Sequence, residues 1–419
     1  MSEKKIPFTE AEIREIIKTY PTPFHIYDER AIVDNARKFL AAFAWAPGFK
    51  EYFAVKATPN PHILKLLQAE GIGADCSSMA ELLLCEKIGI SGEEIIFSAN
   101  DTPYEEFAKA MEMGALINLD DITMIDYMER RGPLPAAVCM RYNPGPLLKE
   151  GNALIGMPEE AKYGMTRGQI FTAIDMLRRK GVARFGLHTM VVSNELAEAN
   201  LLHTAGMMFD LAVEVQDKLG VNIEFIDFGG GIGIPYRPED KDVDCAVLSA
   251  GIRRSFEEIM VPHGLGEVRL AFECGRFVTG PYGYLVMTAI HHKDIWKHYI
   301  GTDASMADLM RPGMYGAYHH LTVMGKETVP ADHVYDVTGS LCENCDKFAV
   351  DRKLPQIDEG DILVVHDTGA HGHAMGFNYN GKLRSAELLL RKDGAVTQIR
   401  RAETMDDLFA TLDFTSFRK

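Results

Sequence analysis

A lysine that closes an apolar run is the first residue in this chain with chemical promise. Glu51–Val55 predicts a short strand, and Lys56-Ala57 follows it directly. An amine in that position is partly desolvated, which lowers its pKa and makes it nucleophilic. The alternative is an ammonium that snorkels to the rim. A second strand, Glu224–Phe228, runs into Gly229-Gly230-Gly231. Successive glycines let backbone N–H groups approach an anion, so this is a phosphate cradle or a plain tight turn. The full G-x-G-x-x-G spacing of a dinucleotide site is missing. Arg269–Glu273 ends in Glu273-Cys274-Gly275-Arg276, whose carboxylate and guanidinium either pair with each other or serve one charged ligand. His188 closes Phe185–His188, as a ligand contact or a structural imidazole. Cys342-x-x-Cys345 with His371 and His373 has the residue types of a tetrahedral zinc site, although the spacing within both pairs is tight.

These residues need a scaffold that gathers strand ends. Glu51–Val55, Gly73–Cys76, Glu94–Ser98, Leu116–Leu119, Ala136–Tyr142, Phe185–His188, Glu224–Phe228 and Arg269–Glu273 all read as strands. The segments between them have helical period, as in Tyr104–Met113, Arg167–Lys180 and Ala197–Leu219. That alternation predicts a (β/α)8 barrel, in which functional groups sit where strands end. An open doubly wound sheet is the rival. After about Gly283 the rhythm changes to strands joined by Gly, Pro and Asp turns: Tyr284–Ile290, Ile295–Gly301, Gly316–Thr322, Val334–Thr338 and Asp361–His366. We therefore expect a barrel over 35–283 and a β domain formed by 1–34 with 284–419. Thr9, with Glu12 three residues on, is the expected cap of a first helix.

Composition narrows the function classes. The 419 residues carry 44 Lys plus Arg against 60 Asp plus Glu, a net charge of −16. Nucleic-acid binding needs a basic face, so a nucleic-acid partner is not expected. No apolar run reaches membrane-spanning length, and no signal segment follows the first residues, so a cytoplasmic protein is expected. Seven cysteines at irregular spacing do not form a disulfide framework.

Seven segments in sequence resemble the fold-type III pyridoxal-phosphate decarboxylases, in the diaminopimelate decarboxylase branch near the ornithine and arginine decarboxylases. They are Tyr52–Ala57, Ala74–Leu82, Ala161–Met165, Gly229–Gly231, Glu273–Arg276, Met310–Pro312 with Tyr315, and Cys342-Glu343. The resemblance implies an alanine-racemase-type TIM-like barrel and a C-terminal β-barrel or sandwich domain that includes the N-terminal strand. It also implies a homodimer with active sites shared between subunits. It assigns the cofactor, pyridoxal 5'-phosphate, to a covalent link with Lys56. Glu273 would pair with the pyridine nitrogen and His188 would stack on the ring. Gly229, Gly230 and Gly231 would cradle the phosphate, and Asp75, Ser193, Arg276, His371 and Tyr379 complete the cofactor set. Arg276, Arg311, Tyr315 and Glu343 would hold the far end of the substrate. Cys342, from the partner subunit, would protonate the carbanion. The implied reaction is decarboxylation of meso-2,6-diaminopimelate at its D-centre to L-lysine. The alternatives are decarboxylation of D-lysine, D-ornithine or a carboxylated polyamine precursor, and a zinc-stabilised binding protein. No metal is assigned by the resemblance.

Three positions depart from the family pattern. The glycine-serine pair expected after the histidine is replaced by the run His188–Ser193. Cys274 stands in place of a proline, and His371 stands where a tyrosine caps the phosphate.

Overall fold

Strand β1 (Phe24–Asp28) precedes eight short parallel strands that close on themselves as a barrel. These are β2 (Lys50–Ala54), β3 (Gly73–Cys76), β4 (Ile95–Ser98), β5 (Leu116–Leu119), β6 (Ala137–Tyr142), β7 (Arg184–Thr189), β8 (Phe225–Asp227) and β9 (Arg269–Phe272). The structure, a computed structural model, describes residues 4–147 and 157–417. The barrel forms one compact unit, Val33–Ile234 with Asp242–Val278. Closure excludes the open-sheet rival, because β9 pairs with β2, Lys50 opposite Ala271. Tyr52, Ile96, Leu116, Ala137, Cys139, Phe225 and Ala271 pack as one apolar cluster. Strand-to-helix turns are fixed by local caps. Asn60 accepts from His62 N–H before Pro61–Ala69, Ser78 caps Met79–Lys87, and Thr166 with Gln169 forms a capping box at Arg167–Arg179.

The second unit comprises Met1–Ile32, Pro235–Lys241 and Thr279–Lys419. It adds to β1 the strands β10 (Gly283–Asp294), β11 (His298–Thr302), β12 (Leu321–Val323), β13 (His333–Thr338), β14 (Lys347–Leu354), β15 (Ile362–Val365), β16 (Ala386–Leu390) and β17 (Val396–Arg400). Together they form a mixed sheet in the order β14-β13-β11-β10-β1-β16-β17, with β15 pairing both β10 and β12. The N-terminal strand completes this sheet, antiparallel to β10 and parallel to β16. The first half of β10 is buried on both faces, while His291–Asp294 are exposed. Leu285, Met287 and Ala289 face one core, and Tyr284 and Val286 face the other. That double burial explains the apolar run Tyr284–Met287. Thr9 caps Glu10–Thr19 in a capping box with Glu12, as expected. The expected strand Gly316–Thr322 shrinks to Leu321–Val323. Gly316, at φ 63°, instead terminates the short helix Arg311–Tyr315. Residues 235–241 join this unit through side-chain stacking: Arg311 lies over the Tyr236 ring, and Arg237 over Tyr318.

Candidate active site

Strand register sets the barrel's polar row. Arg141 on β6 is opposite His188 on β7, which is opposite Asp227 on β8. Register partners on adjacent strands share a face, so three chain-distant residues become neighbours. The His188 Nε2 lies 3.1 Å from Glu273 Oε2, just past the end of β9. Arg141 Nε donates to His188 Nδ1 at 3.3 Å, and its NH1 group donates to Asp120 Oδ1 at 2.8 Å. Arginine can only donate. Nδ1 must therefore accept, and Nε2–H donates to Glu273, so the geometry selects the neutral Nε2–H tautomer. Burial also pushes the imidazole below its ordinary pKa.

Glu273 is the anion of this network. Burial alone would raise its pKa, but His188, Lys56 and Arg141 hold it well below the usual carboxylate range. With His188 neutral, that stabilisation comes from its N–H bond and from the two cations. Ser98 Oγ adds a hydrogen bond to Oε1 at 2.8 Å and is itself positioned by Asn118 at 3.0 Å. The neighbouring carboxyls go the other way. Burial first, and then repulsion from Glu273 and other nearby carboxylates, pushes Glu51 and Asp227 well above the ordinary range. Each also makes a bond that fixes backbone: Glu51 Oε1 accepts from Cys274 N–H, and Asp227 Oδ1 from Gly229 N–H, both at 2.8 Å.

Lys56 lies on a 3-10 turn, Val55–Ala57, just after β2, with Nζ 2.8 Å from Asp75 Oδ2. Burial acts to lower its pKa, but Asp75 and Glu273 outweigh it and hold the ammonium above its ordinary range. This corrects the expectation of a lowered pKa. The strand end does not sit in apolar surroundings, because Asp75 is its register neighbour through Ala54. The side chain is also 51 % exposed, so water screens part of that attraction. Gly275 lets the two segments touch: a Cβ there would lie 2.6 Å from Ala57 Cβ. Arg276, buried, follows at once.

The glycine turn is a backbone structure in its own right. Gly229 and Gly231 have φ of 68° and 101°. A Cβ on Gly230 would lie 2.6 Å from Glu273 O, and one on Gly231 2.5 Å from Val192 O. Glu195 N–H donates to Gly231 O at 2.9 Å. The run that replaces glycine-serine therefore lies along the glycine turn, and Ser193 sits in it between these contacts.

In the second unit, Arg311 is buried at the start of its helix and Tyr315 is exposed at the end. Cys342 and Glu343 are exposed in the connection between β13 and β14. Asn380 Oδ1 accepts from Cys342 N–H at 2.8 Å, and Tyr379 hydrogen-bonds Glu343, so these segments meet. His371 has a φ of 56°, in the left-handed region. The zinc reading fails on geometry. Buried His373 uses Nε2 on Ser385 O at 3.0 Å and Nδ1 on Arg384, while Cys342 and Cys345 are exposed. Among the described residues, the only cluster of three potential metal ligands is His188, Asp227 and Glu273.

Arg141, Asp120, Ser98, Asn118 and Glu51 belong to no motif in the sequence. Strand position was the available signal, since each lies in or just after a barrel strand.

The family described as "pyridoxal-dependent decarboxylase, pyridoxal binding domain" matches residues 29–280. Protein TabA of Pseudomonas amygdali pv. tabaci is 44% identical over 393 residues, covering 94% of this chain and 91% of its own length. The diaminopimelate decarboxylase of Methanothermobacter thermautotrophicus is 32% identical over 399 residues, covering 95% and 93%. The crystal structure of diaminopimelate decarboxylase from M. jannaschii in co-complex with L-lysine is similar at a TM-score of 0.87 and 28% identity, covering 96% and 94%.

Proposed function

Because this chain belongs to the pyridoxal-dependent decarboxylases, a family of pyridoxal-phosphate enzymes, we propose that it decarboxylates meso-2,6-diaminopimelate at the D-centre to give L-lysine. The observation that carries this reading is the chain Asp120–Arg141–His188–Glu273, which holds a buried carboxylate ionised beside Lys56. Such a carboxylate suits a protonated pyridine nitrogen. A tight glycine turn with two positive φ angles suits a phosphate, and a strand-end amine suits an aldehyde, so the residues present fit the cofactor.

When bound, pyridoxal phosphate supplies the electron sink for the pair left behind by carbon dioxide. Lys56 would anchor it, and Glu273 would keep the ring nitrogen protonated. His188, locked as a neutral tautomer, would lie against the ring. Gly229, Gly230, Gly231, Ser193, His371 and Tyr379 would hold the phosphate, and Asp75 would orient the Lys56 amine. Arg276 and Arg311 suit a distal carboxylate, since guanidinium binds it bidentately, and Glu343 suits the ammonium beside it. The Cys342 thiol would deliver a proton to the carbon that lost carbon dioxide. The same reading gives a cytoplasmic homodimer with shared sites. The departures at Cys274 and His371 favour a second reading, decarboxylation of D-lysine, D-ornithine or a carboxylated polyamine precursor.

The test is carbon dioxide release by purified protein from each of these substrates, with the visible cofactor absorbance recorded alongside. We expect turnover of meso-diaminopimelate, and loss of both absorbance and turnover in Lys56→Ala. Full activity on D-ornithine with none on diaminopimelate would select the second reading.

A further inference from the structure

Five of the seven cysteines are buried: Cys76, Cys85, Cys139, Cys245 and Cys274. The two exposed ones are three residues apart, in one connection. Residues 342–345 are all exposed. Gly339 N–H donates to Asp346 O at 3.1 Å, which closes the segment on itself. The Asp346 carboxylate pins it further, accepting from Leu341 N–H at 2.8 Å and Met306 N–H at 2.6 Å. Inside the loop, Asp346 N–H donates to Glu343 O at 3.0 Å, forming a turn. Cys345 is the third residue of that turn and Cys342 immediately precedes it. Only Glu343 and Asn344 separate the two cysteines, in an exposed loop whose ends are bonded to each other, so closing a disulfide asks for movement of this loop alone. With zinc excluded by geometry, Cys342-x-x-Cys345 is left without a ligand, and nothing in the proposed decarboxylase chemistry uses Cys345.

We propose that Cys342 and Cys345 are a reversible oxidation site, closing to an intraloop disulfide in the presence of a peroxide. The Cys342 sulfur attacks the peroxide, the O–O bond breaks, and one water leaves as the sulfenic acid forms. The Cys345 sulfur then attacks that sulfenic sulfur, the S–O bond breaks, and a second water leaves. Two thiols and one hydrogen peroxide thus give one disulfide and two waters. A dithiol reductant reverses the step. Oxidation removes the thiol proton of Cys342, so the disulfide form is an arrested decarboxylase. That consequence rests on the role given to Cys342 above. A pair of this kind in a reducing compartment acts as a sensor rather than a staple.

The holoenzyme is treated with hydrogen peroxide, alkylated, digested and mapped by mass spectrometry. The expected result is a peptide carrying both cysteines that has lost two hydrogens and resists alkylation until dithiothreitol is added, with activity lost and regained in step. The variant Cys345→Ser should keep full activity before oxidation. At high peroxide it should lose activity irreversibly, because its sulfenic acid proceeds to sulfinic acid. Independent alkylation of Cys342 and Cys345 after peroxide would overturn the proposal, as would linkage of either to another cysteine or to a second chain. A mapped Cys342–Cys345 disulfide with undiminished turnover would keep the oxidation site and remove Cys342 from the proton-donor role.

Discussion

Asp75 shows how one carboxylate changes what a nucleophile can do. A strand-end lysine next to apolar residues should have a depressed pKa, and the sequence contains the apolar run. It does not reveal that parallel pairing sets Asp75 opposite Ala54, one turn from Lys56. The resulting 2.8 Å pair favours the ammonium, and a protonated amine cannot attack an aldehyde. Replacing Asp75 with Asn removes the strongest attraction and leaves those of Glu273 and Glu81. We therefore expect Asp75→Asn to lower the pH at which cofactor-free protein reacts with an amine-directed aldehyde by about a unit or more, in keeping with pairwise charge effects on pKa. The measurement is the half-maximal pH of Lys56 labelling, followed by peptide mapping. An unchanged midpoint would mean that Asp75 does not control the amine. The His188 tautomer is a related case. Position at a strand end singled out the imidazole, but its protonation state follows from Arg141, whose place in Met140-Arg141-Tyr142 gives no hint of its partner.

At the scale of elements, the barrel was legible because its strands are short, apolar and separated by capped helices. Leu116–Leu119 and Gly73–Cys76 coincide with the expected bounds. The β unit was less legible. Lys347–Leu354 buries Phe348, Ala349 and Leu354 without regular alternation, contains Asp, Arg and Lys, and slips in register against β13, so its pattern is broken in sequence. Ala386–Leu390 carries a buried Glu387, bonded by Tyr27 at 2.6 Å, which masks a core strand as a polar one. The glycine turn can be tested directly. Alanine at Gly231 must adopt a φ of 101° with its Cβ 2.5 Å from Val192 O, so the turn must shift. We expect Gly231→Ala to weaken cofactor binding about tenfold or more, a change of about 1.4 kcal/mol, in an absorbance titration. Gly168→Ala, where nothing lies within 4 Å of the added carbon, should bind as the wild type does. The β unit also predicts a pH dependence. Burial pulls His25 and His366 down to about 3, so the folded state keeps them neutral where the unfolded chain takes up protons. Stability is then complete above about pH 6.5 and falls by about 1.4 kcal/mol per pH unit for each group as pH drops towards 3. Asp308 acts oppositely. Burial raises it to about 6, so it recovers part of the loss between about pH 6 and 4. The thermal midpoint of the wild type relative to His366→Asn should fall from pH 7.5 to 5.5, a difference in which the opposing buried carboxyls Glu51, Asp75 and Asp227 cancel. A difference that does not change with pH would contradict neutral burial of His366.

At the scale of the whole molecule, the two sets of proposed catalytic residues lie in different units. Lys56, His188 and Glu273 belong to the barrel, and Arg311, Cys342 and Glu343 belong to the β unit. The net charge of −16 is a whole-surface property, and the proposed chemistry draws only on individual cations: Lys56, Arg141 and Arg276 in the barrel and Arg311 in the β unit. The proposed homodimer with shared sites makes a stoichiometric prediction. In a Lys56→Ala homodimer every site lacks the amine, and in a Cys342→Ala homodimer every site lacks the thiol, so each is inactive alone. In a mixed dimer with shared sites, the intact lysine of one chain meets the intact cysteine of the other at one site, while the second site loses both. Random reassortment makes half of the dimers mixed, so activity should recover to about a quarter of wild type, as expected for a two-fold interface. The two variants are mixed, dissociated in mild denaturant, reassociated, and assayed for carbon dioxide release. If both residues instead served a site within one chain, no mixed dimer would contain a complete site, and activity would stay at the level of the separate variants.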